Sequence, residues 1–253
     1  MVRVFITGSS DGIGLFTAQR LADAGHNVTL HARNDERAKT TREACASAEH
    51  VLVADLRNIA EIKQLAEDAN ATGSFDTIIH NAGIGFGSTS SRKMTSDGIS
   101  EVFAVNTLAP YILTCLMHKP KARMLYMSSD SHMSGDISLE KCTQSHSYGN
   151  SKLHDILLAN AFARRFEDLQ ILSMHPGWVR TKMGGAAPGS PNKPAKALSE
   201  WAVGEGSLAK VRSGAFVGTD SEDSPHRGAS DVTKQDELLE ICSKVSGVEL
   251  PRP

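Results

Sequence analysis

Tyr148 and Lys152 stand four residues apart at the head of an apolar-periodic run, Leu153, Ile156, Leu157, Ala161 and Phe162. On a helix that spacing puts both side chains on one face, a single turn apart. A free phenol titrates near ~10 and exchanges protons poorly at neutral pH. A neighbouring ammonium favours the phenolate, which makes a tyrosine usable as a general acid or base. Any helix can carry Tyr and Lys at this spacing, so the pair takes its meaning from the elements that must position it.

Those elements alternate. Val2–Ile6 has a strand pattern and runs into the turn Thr7-Gly8-Ser9-Ser10-Asp11-Gly12-Ile13-Gly14, after which Leu15, Ala18, Leu21 and Ala22 mark one side of a helix that ends at Gly25. Further strands are expected at Asn27–His31, Val51–Ala54, Asp76–His80, Arg123–Met127, Gln170–Met174 and around Gly214–Gly218. Between them lie helical stretches at Asp35–Ser47, Ile59–Ala69, Ile99–Met117 and from Tyr148 onward, with a short last helix at Glu237–Val245. Gly85–Ser91 and Gly184–Pro194, rich in Gly, Ser, Pro and Ala, are expected to be loops. Strands alternating with helices argue right-handed βαβ units, so the expected fold is α/β: one Rossmann-type, doubly wound, mostly parallel sheet with helices on both faces. With no repeat or linker tract visible, residues 1–253 form one domain: a dinucleotide-binding half over 1–120, and a catalytic and substrate half over 121–253 that carries the loop 182–201.

In such a sheet ligands bind where strands end. Gly8, Gly12 and Gly14 sit between the first strand and first helix, where missing Cβ atoms let the backbone turn tightly against a pyrophosphate at a helix N-terminus. The spacing is Gly-x-x-x-Gly-x-Gly, not the commoner Gly-x-Gly-x-x-Gly. Past the second strand, His31-Ala32-Arg33 offers no carboxylate for a ribose hydroxyl, and Arg33 suits a 2′-phosphate, which favours NADP(H) over NAD(H). Asp11, inside the turn, carries a negative charge near that phosphate and argues the other way.

The chain has 253 residues, 40% of them hydrophobic, and a formal net charge of -2, which makes no electrostatic case for nucleic acid or an anionic membrane. Its apolar runs fall short of the ~20 residues of a membrane span. Met1 leads directly into the first strand pattern with no secretory signal. Cys45, Cys115, Cys142 and Cys242 are scattered and read as reduced thiols. His132, His146, His154 and His175 show no metal-ligand spacing and read as surface or capping residues, so no metal is expected. A cytoplasmic protein acting on a small molecule, without nucleic acid or membrane, is the expectation.

Thr7 to Gly14, Asn81-Ala82-Gly83, Asn106, Ser128-Ser129, Tyr148-x-x-x-Lys152 and Pro176-Gly177 follow one another in the order found in the short-chain dehydrogenase/reductase family, which this chain resembles over nearly its whole length. The resemblance implies that Tyr148 exchanges a proton with a substrate oxygen, and that Lys152 bonds the nicotinamide ribose and depresses the Tyr148 pKa. It implies that Ser129 (with Ser128 as the alternative) holds the carbonyl or alcohol oxygen, and that Asn106 supports a water-linked proton path. The cofactor would also meet Gly8, Ser9, Ser10, Asp11, Gly12, Ile13, Gly14 and Arg33 on the phosphate side. Asp55, Leu56, Asn81, Ala82 and Gly83 would lie around the adenine, and Pro176, Gly177, Val179 and Thr181 around the nicotinamide.

Ser129 and Tyr148 are 19 residues apart, longer than in the simplest members. The intervening Asp130–Ser147 and the run His175–Thr181 resemble those of retinol-dehydrogenase-like and carbonyl-reductase members. The implied activity is an NADP(H)-dependent carbonyl reductase or alcohol dehydrogenase; the competing reading is a non-catalytic NADP-binding sensor or scaffold. Family members often pair through the fourth and fifth helices, and Leu108–Met117 is apolar for a surface helix, though it could equally be core; a homodimer or tetramer is the expectation.

Overall fold

The computed structural model describes residues 1–85 and 93–251; most of the expected loop Gly85–Ser91 lies outside them. Seven strands form one parallel sheet in the order β3-β2-β1-β4-β5-β6-β7. They are β1 Arg3–Ile6, β2 Asn27–Ala32, β3 His50–Val53, β4 Thr77–His80, β5 Arg123–Met127, β6 Gln170–Met174 and β7 Phe216–Val217. The order reverses between β1 and β4, which opens a crevice at their C-terminal ends. Val4, Phe5, Ile6, Ile78, Ile79, Leu125 and Leu172 are fully buried, as expected of strands covered on both faces.

Alternation along each strand sends its side chains into two cores. One holds Phe5, Ile78, Tyr126 and Ile171 under α3 (Ile59–Ala71), α5 (Ala109–Leu116), α6 (Tyr148–Ala163) and α8 (Val232–Ser246). The other holds Val4, Ile6, Ile79, Leu125 and Leu172 under α1 (Gly12–Asp23) and α7 (Asn192–Ala202). Helix α2, Asp35–Ala44, opens on an Asn34 side chain that accepts from Arg37 N–H, and buries only Thr41.

The expected helix Ile99–Met117 is broken in character. It starts as α4 over Glu101–Phe103, widens to a π-turn over Ala104–Leu108 and resumes as α5. Such π-turns cluster at functional sites, and Asn106 lies inside this one. The expected loop 182–201 becomes helical from Asn192 onward, a correction with a local cause. Pro191 and Pro194 fall at the N-cap and in the first turn of α7, where an amide has no partner to lose. Trp201 then anchors the helix, fully buried, with its indole N–H donating to Gln170 Oε1 at 2.9 Å.

Most of the apolar stretch Leu108–Met117 is core, one of the two places the sequence left open for it. Leu108 through Leu113 lie in the interior, packed between α3 and α8. Leu238, Leu239 and Cys242 of α8 are fully buried against this side, and Tyr111 donates its hydroxyl to Val248 O at 2.9 Å. α8 is held at both ends, by an Asp231 carboxylate accepting from Thr233 and Lys234 N–H and by Gly247 at φ 66°. Among the described residues no helix is long and apolar enough to cross a membrane.

Candidate active site

The β1–α1 turn is built by close approach. Gly8 has φ +62°, and a Cβ on it would lie 2.6 Å from Ala82 Cα. A Cβ on Gly14 would lie 2.6 Å from Asn81 Nδ2, so side chains at either position would push β1 and β4 apart. The gap they leave is filled by hydrogen bonds. Asn81 Nδ2 donates to Thr7 O (3.0 Å) and Gly8 O (2.9 Å), while Thr7 Oγ1 accepts from Asn81 and Ala82 N–H. Asn81-Ala82-Gly83 is thus the tether that shapes the glycine turn.

His31 is a second tether. Gly8 N–H donates to its Nδ1 at 3.0 Å, so the neutral ring carries its proton on Nε2 and donates to Ala54 O at 2.9 Å. Burial lowers its pKa and keeps it neutral, against opposing pulls from Ala54 and Asp55. Ser9 completes the joint, fully buried, donating to Ile6 O and accepting from His31 N–H.

These ties leave the N-terminus of α1 facing a cavity of about 740 Å³ along the β1–β4 crevice. Asp11 does not cap α1 with its side chain. It is turned instead to Arg37 and to Lys182, 3.3 Å away, so its charge is matched on two sides. The first-turn amides of α1 therefore remain for an anion. Arg33 is exposed on the cavity wall. Asp55 takes both oxygens to Arg57; burial by itself would raise its pKa, but Arg57 and the Arg33 charge hold it below the usual carboxylate range.

At the other end of the cavity stand Tyr148 and Lys152. Ser147 caps α6 by accepting from Asn150 N–H at 3.0 Å, which places half-buried Tyr148 as its first residue. Lys152 Nζ lies 5.5 Å from the Tyr148 ring centroid. A Cβ on Gly85 would fall 2.2 Å from Tyr148 Cδ2, so that ring rests on a glycine backbone. Gly83 also borders Lys152, where a Cβ would lie in ordinary contact, 3.5 Å from Nζ. Asn106 is a brace: it accepts from Ile84 N–H, and donates to Ile84 O and to Ser151 Oγ, which locks the π-turn to the β4 loop and to α6.

Fifteen of the expected residues line this cavity: Gly8, Ser10, Asp11, Gly12, Ile13, Arg33, Asp55, Leu56, Asn81, Ala82, Gly83, Tyr148, Lys152, Pro176 and Thr181. Ser9, Gly14 and Asn106 stand behind the wall in the bonds and contacts just described. Val179 bridges to Gly189, and Gly177 turns the chain at φ +74°. Of the serine pair, Ser128 is on the wall, with its hydroxyl donating to Lys152 O at 2.6 Å. Ser129 is off it and half-buried; its oxygen accepts from Ser131 N–H at 3.2 Å, at the start of a short 3-10 turn. His31, Arg37, Arg57 and Lys182 also line the cavity without having been singled out as binding residues. His31 is on β2, two residues before Arg33, whereas Arg37, Arg57 and Lys182 reach the cavity from α2 and from separate loops.

The short chain dehydrogenase family model matches residues 3–190. The chain is 63% identical over 253 residues to an uncharacterised oxidoreductase of Emericella nidulans, covering 99% of each chain. It is 30% identical over 205 residues to retinol dehydrogenase 13 of Homo sapiens, covering 72% of this chain and 60% of that one. In fold it is similar to an NADPH-bound carbonyl reductase from chicken fatty liver, with a TM-score of 0.68 at 22% identity over 89% of this chain and 99% of the other.

Proposed function

The chain belongs to the short-chain dehydrogenase/reductase family, oxidoreductases acting between C–OH and C=O groups, and on that premise we propose an NADP(H)-dependent enzyme in which Tyr148 is the general acid/base. The observation that carries this is the meeting of Tyr148, Lys152 and the glycine turn on one cavity. The glycine turn and the uncapped N-terminus of α1 fit a pyrophosphate. When bound, the nicotinamide supplies or takes the hydride.

The chain's own residues do the rest. Tyr148 gives a proton to the oxygen of a carbonyl being reduced, or takes one from an alcohol. Lys152 balances the negative charge left on the tyrosine oxygen and holds the nicotinamide ribose. Ser129 stays the expected donor to the substrate oxygen although it stands just off the cavity wall, because the O–H of Ser128, which lines the wall, is spent on Lys152 O. Asn106 serves Lys152 indirectly, by holding the β4 loop and α6 at a set distance.

NADP(H) over NAD(H) is supported by Arg33 on the cavity wall and by the pairing of Asp11 with Arg37 and Lys182, which removes the objection that Asp11 raised. With Leu108–Leu113 buried in the core, a homodimer or tetramer would pair through another surface, and it stays part of this proposal. A cytoplasmic setting stays part of this proposal and is checked by cell fractionation. The function is tested by NADPH consumption against a panel of ketones and aldehydes, with Tyr148→Phe beside the wild type. Turnover that Tyr148→Phe abolishes supports the reading; equal turnover in both removes Tyr148 from it. NADPH binding without turnover on any carbonyl returns the sensor reading.

A further inference from the structure

Behind the cavity, one helical turn past Lys152, Asp155 has no part in the roles above. Its carboxylate accepts from Lys152 Nζ at 2.9 Å, and the two side chains are 3% and 4% exposed. Lys152 also donates to Met127 O at 2.7 Å. An ammonium has three N–H donors, so two are spent holding it and one remains for the cavity. An unpaired buried charge is expensive, and a lysine left so would shed its proton. Asp155 is not on the cavity wall and touches neither substrate nor cofactor space.

We propose that Asp155 is a positioning residue of this active site: paired with Lys152, it keeps the ammonium charged and aims its remaining N–H at the nicotinamide ribose. This rests on the reading of Lys152 as the ribose ligand. Beyond Tyr148, the pair has no charged neighbour among the described residues. Lys152 is the ionic partner Asp155 has among the described residues. Tyr126, facing it from β5, is bonded to Thr114, and burial holds its hydroxyl protonated. His154, beside it on α6, is held neutral by burial and by His146. Burial alone would lower the Lys152 pKa, but the charges of Asp155 and Tyr148 and the Asp155 hydrogen bond raise it; burial pushes the Asp155 carboxyl up to about 7 against the pull of Lys152.

The test is NADPH affinity by fluorescence titration from pH 6 to 10, for wild type and Asp155→Asn. Asparagine keeps an oxygen for Nζ and removes the charge. The expected result is a Kd raised about tenfold in the variant, with affinity lost on the alkaline side at least one pH unit below where the wild type loses it. A folded variant whose Kd follows the wild-type pH profile overturns the proposal. A wild type that binds no nicotinamide dinucleotide at any pH overturns instead the reading beneath it, and the proposal falls with that. Where Asp155→Asn does not fold, adding Lys152→Met should restore a cooperative melt, because the fault is a stranded buried charge. A double variant that stays unfolded overturns the proposal.

Discussion

Replacing His146 with leucine should flatten the acid side of this protein's stability curve. His146, expected with His132 and His154 at the surface or as a cap, is instead fully buried two residues before Tyr148, between the edge of Phe103 (ring centroids 5.6 Å) and His154 (4.6 Å). Neither of its ring nitrogens has a hydrogen-bond partner among the described residues, and burial lowers its pKa to about 3. The unfolded chain holds a histidine near ~6.5. Above that value the residue adds no pH dependence. Below it the unfolded chain takes up a proton that the folded chain refuses, so stability falls as pH falls, by about 1.4 kcal/mol per unit down to about pH 3. Between pH 7.5 and 5.5 the wild type should therefore lose roughly 1.4 kcal/mol more than His146→Leu. For a chain of this size that is a Tm difference of about 3–6 °C. Comparing the two proteins matters because Asp155, raised by burial to about 7, runs the opposite way in the same window and cancels in the difference. The assay is thermal melting by circular dichroism at pH 7.5, 6.5 and 5.5 and constant ionic strength. At pH 7.5 the variant should be at least as stable as the wild type, since no hydrogen bond is lost. Parallel Tm–pH lines would refute the assignment of His146 as a buried neutral imidazole. The result bears on function, since acid that opens the head of α6 displaces Tyr148.

Arg33→Ala should cut the preference for NADPH over NADH by roughly tenfold, read as the ratio of dissociation constants, because a charge-assisted contact to the 2′-phosphate is lost; an unchanged ratio takes Arg33 out of cofactor choice. Ser129→Ala should lower kcat/KM by about 10²-fold while leaving the NADPH Kd within twofold, the scale of losing one donor to a developing oxyanion. Ser128→Ala should instead disturb Lys152 through its lost hydrogen bond to Lys152 O, raising the NADPH Kd; kinetics that single out Ser128 on kcat alone would exchange the two roles. Light scattering should report a dimer or tetramer of the 27.1 kDa chain, paired through a surface other than the buried Leu108–Leu113; a single 27.1 kDa species would remove subunit pairing from the account.

The sheet and its ligand edge were legible because their signals are local. Strand runs of four to six residues and turns such as Thr7–Gly14 carry their own periodicity and punctuation. α7 was hidden because Pro191 and Pro194 read as loop residues until their place in the first turn is known. Leu108–Leu113 stayed open between pairing face and core because a sequence does not say that α8 returns from over a hundred residues away to cover it. The site divides similarly. Tyr148 and Lys152 stand out by helical spacing, and Arg33 by following a strand. The bonds of His31 to the glycine turn, of Lys182 to Asp11 and of Lys152 to Met127 O join separate segments, and no spacing encodes them. The serine pair is the sharpest case: both residues follow the end of β5 at Met127, and only their hydrogen bonds and the cavity lining tell Ser128 from Ser129.

The central claim is proton exchange by Tyr148 coupled to hydride transfer at one cavity. The most direct measurement is deuterium transfer from NADPH dideuterated at nicotinamide C4 to a turned-over ketone, followed by mass spectrometry in wild type and Tyr148→Phe. The account predicts one deuterium on the carbinol carbon in the wild type. In Tyr148→Phe it predicts a rate about 10²- to 10⁴-fold lower with the NADPH Kd little changed. Deuterium transferred at the wild-type rate by Tyr148→Phe, or no deuterium in the wild-type alcohol, would contradict it.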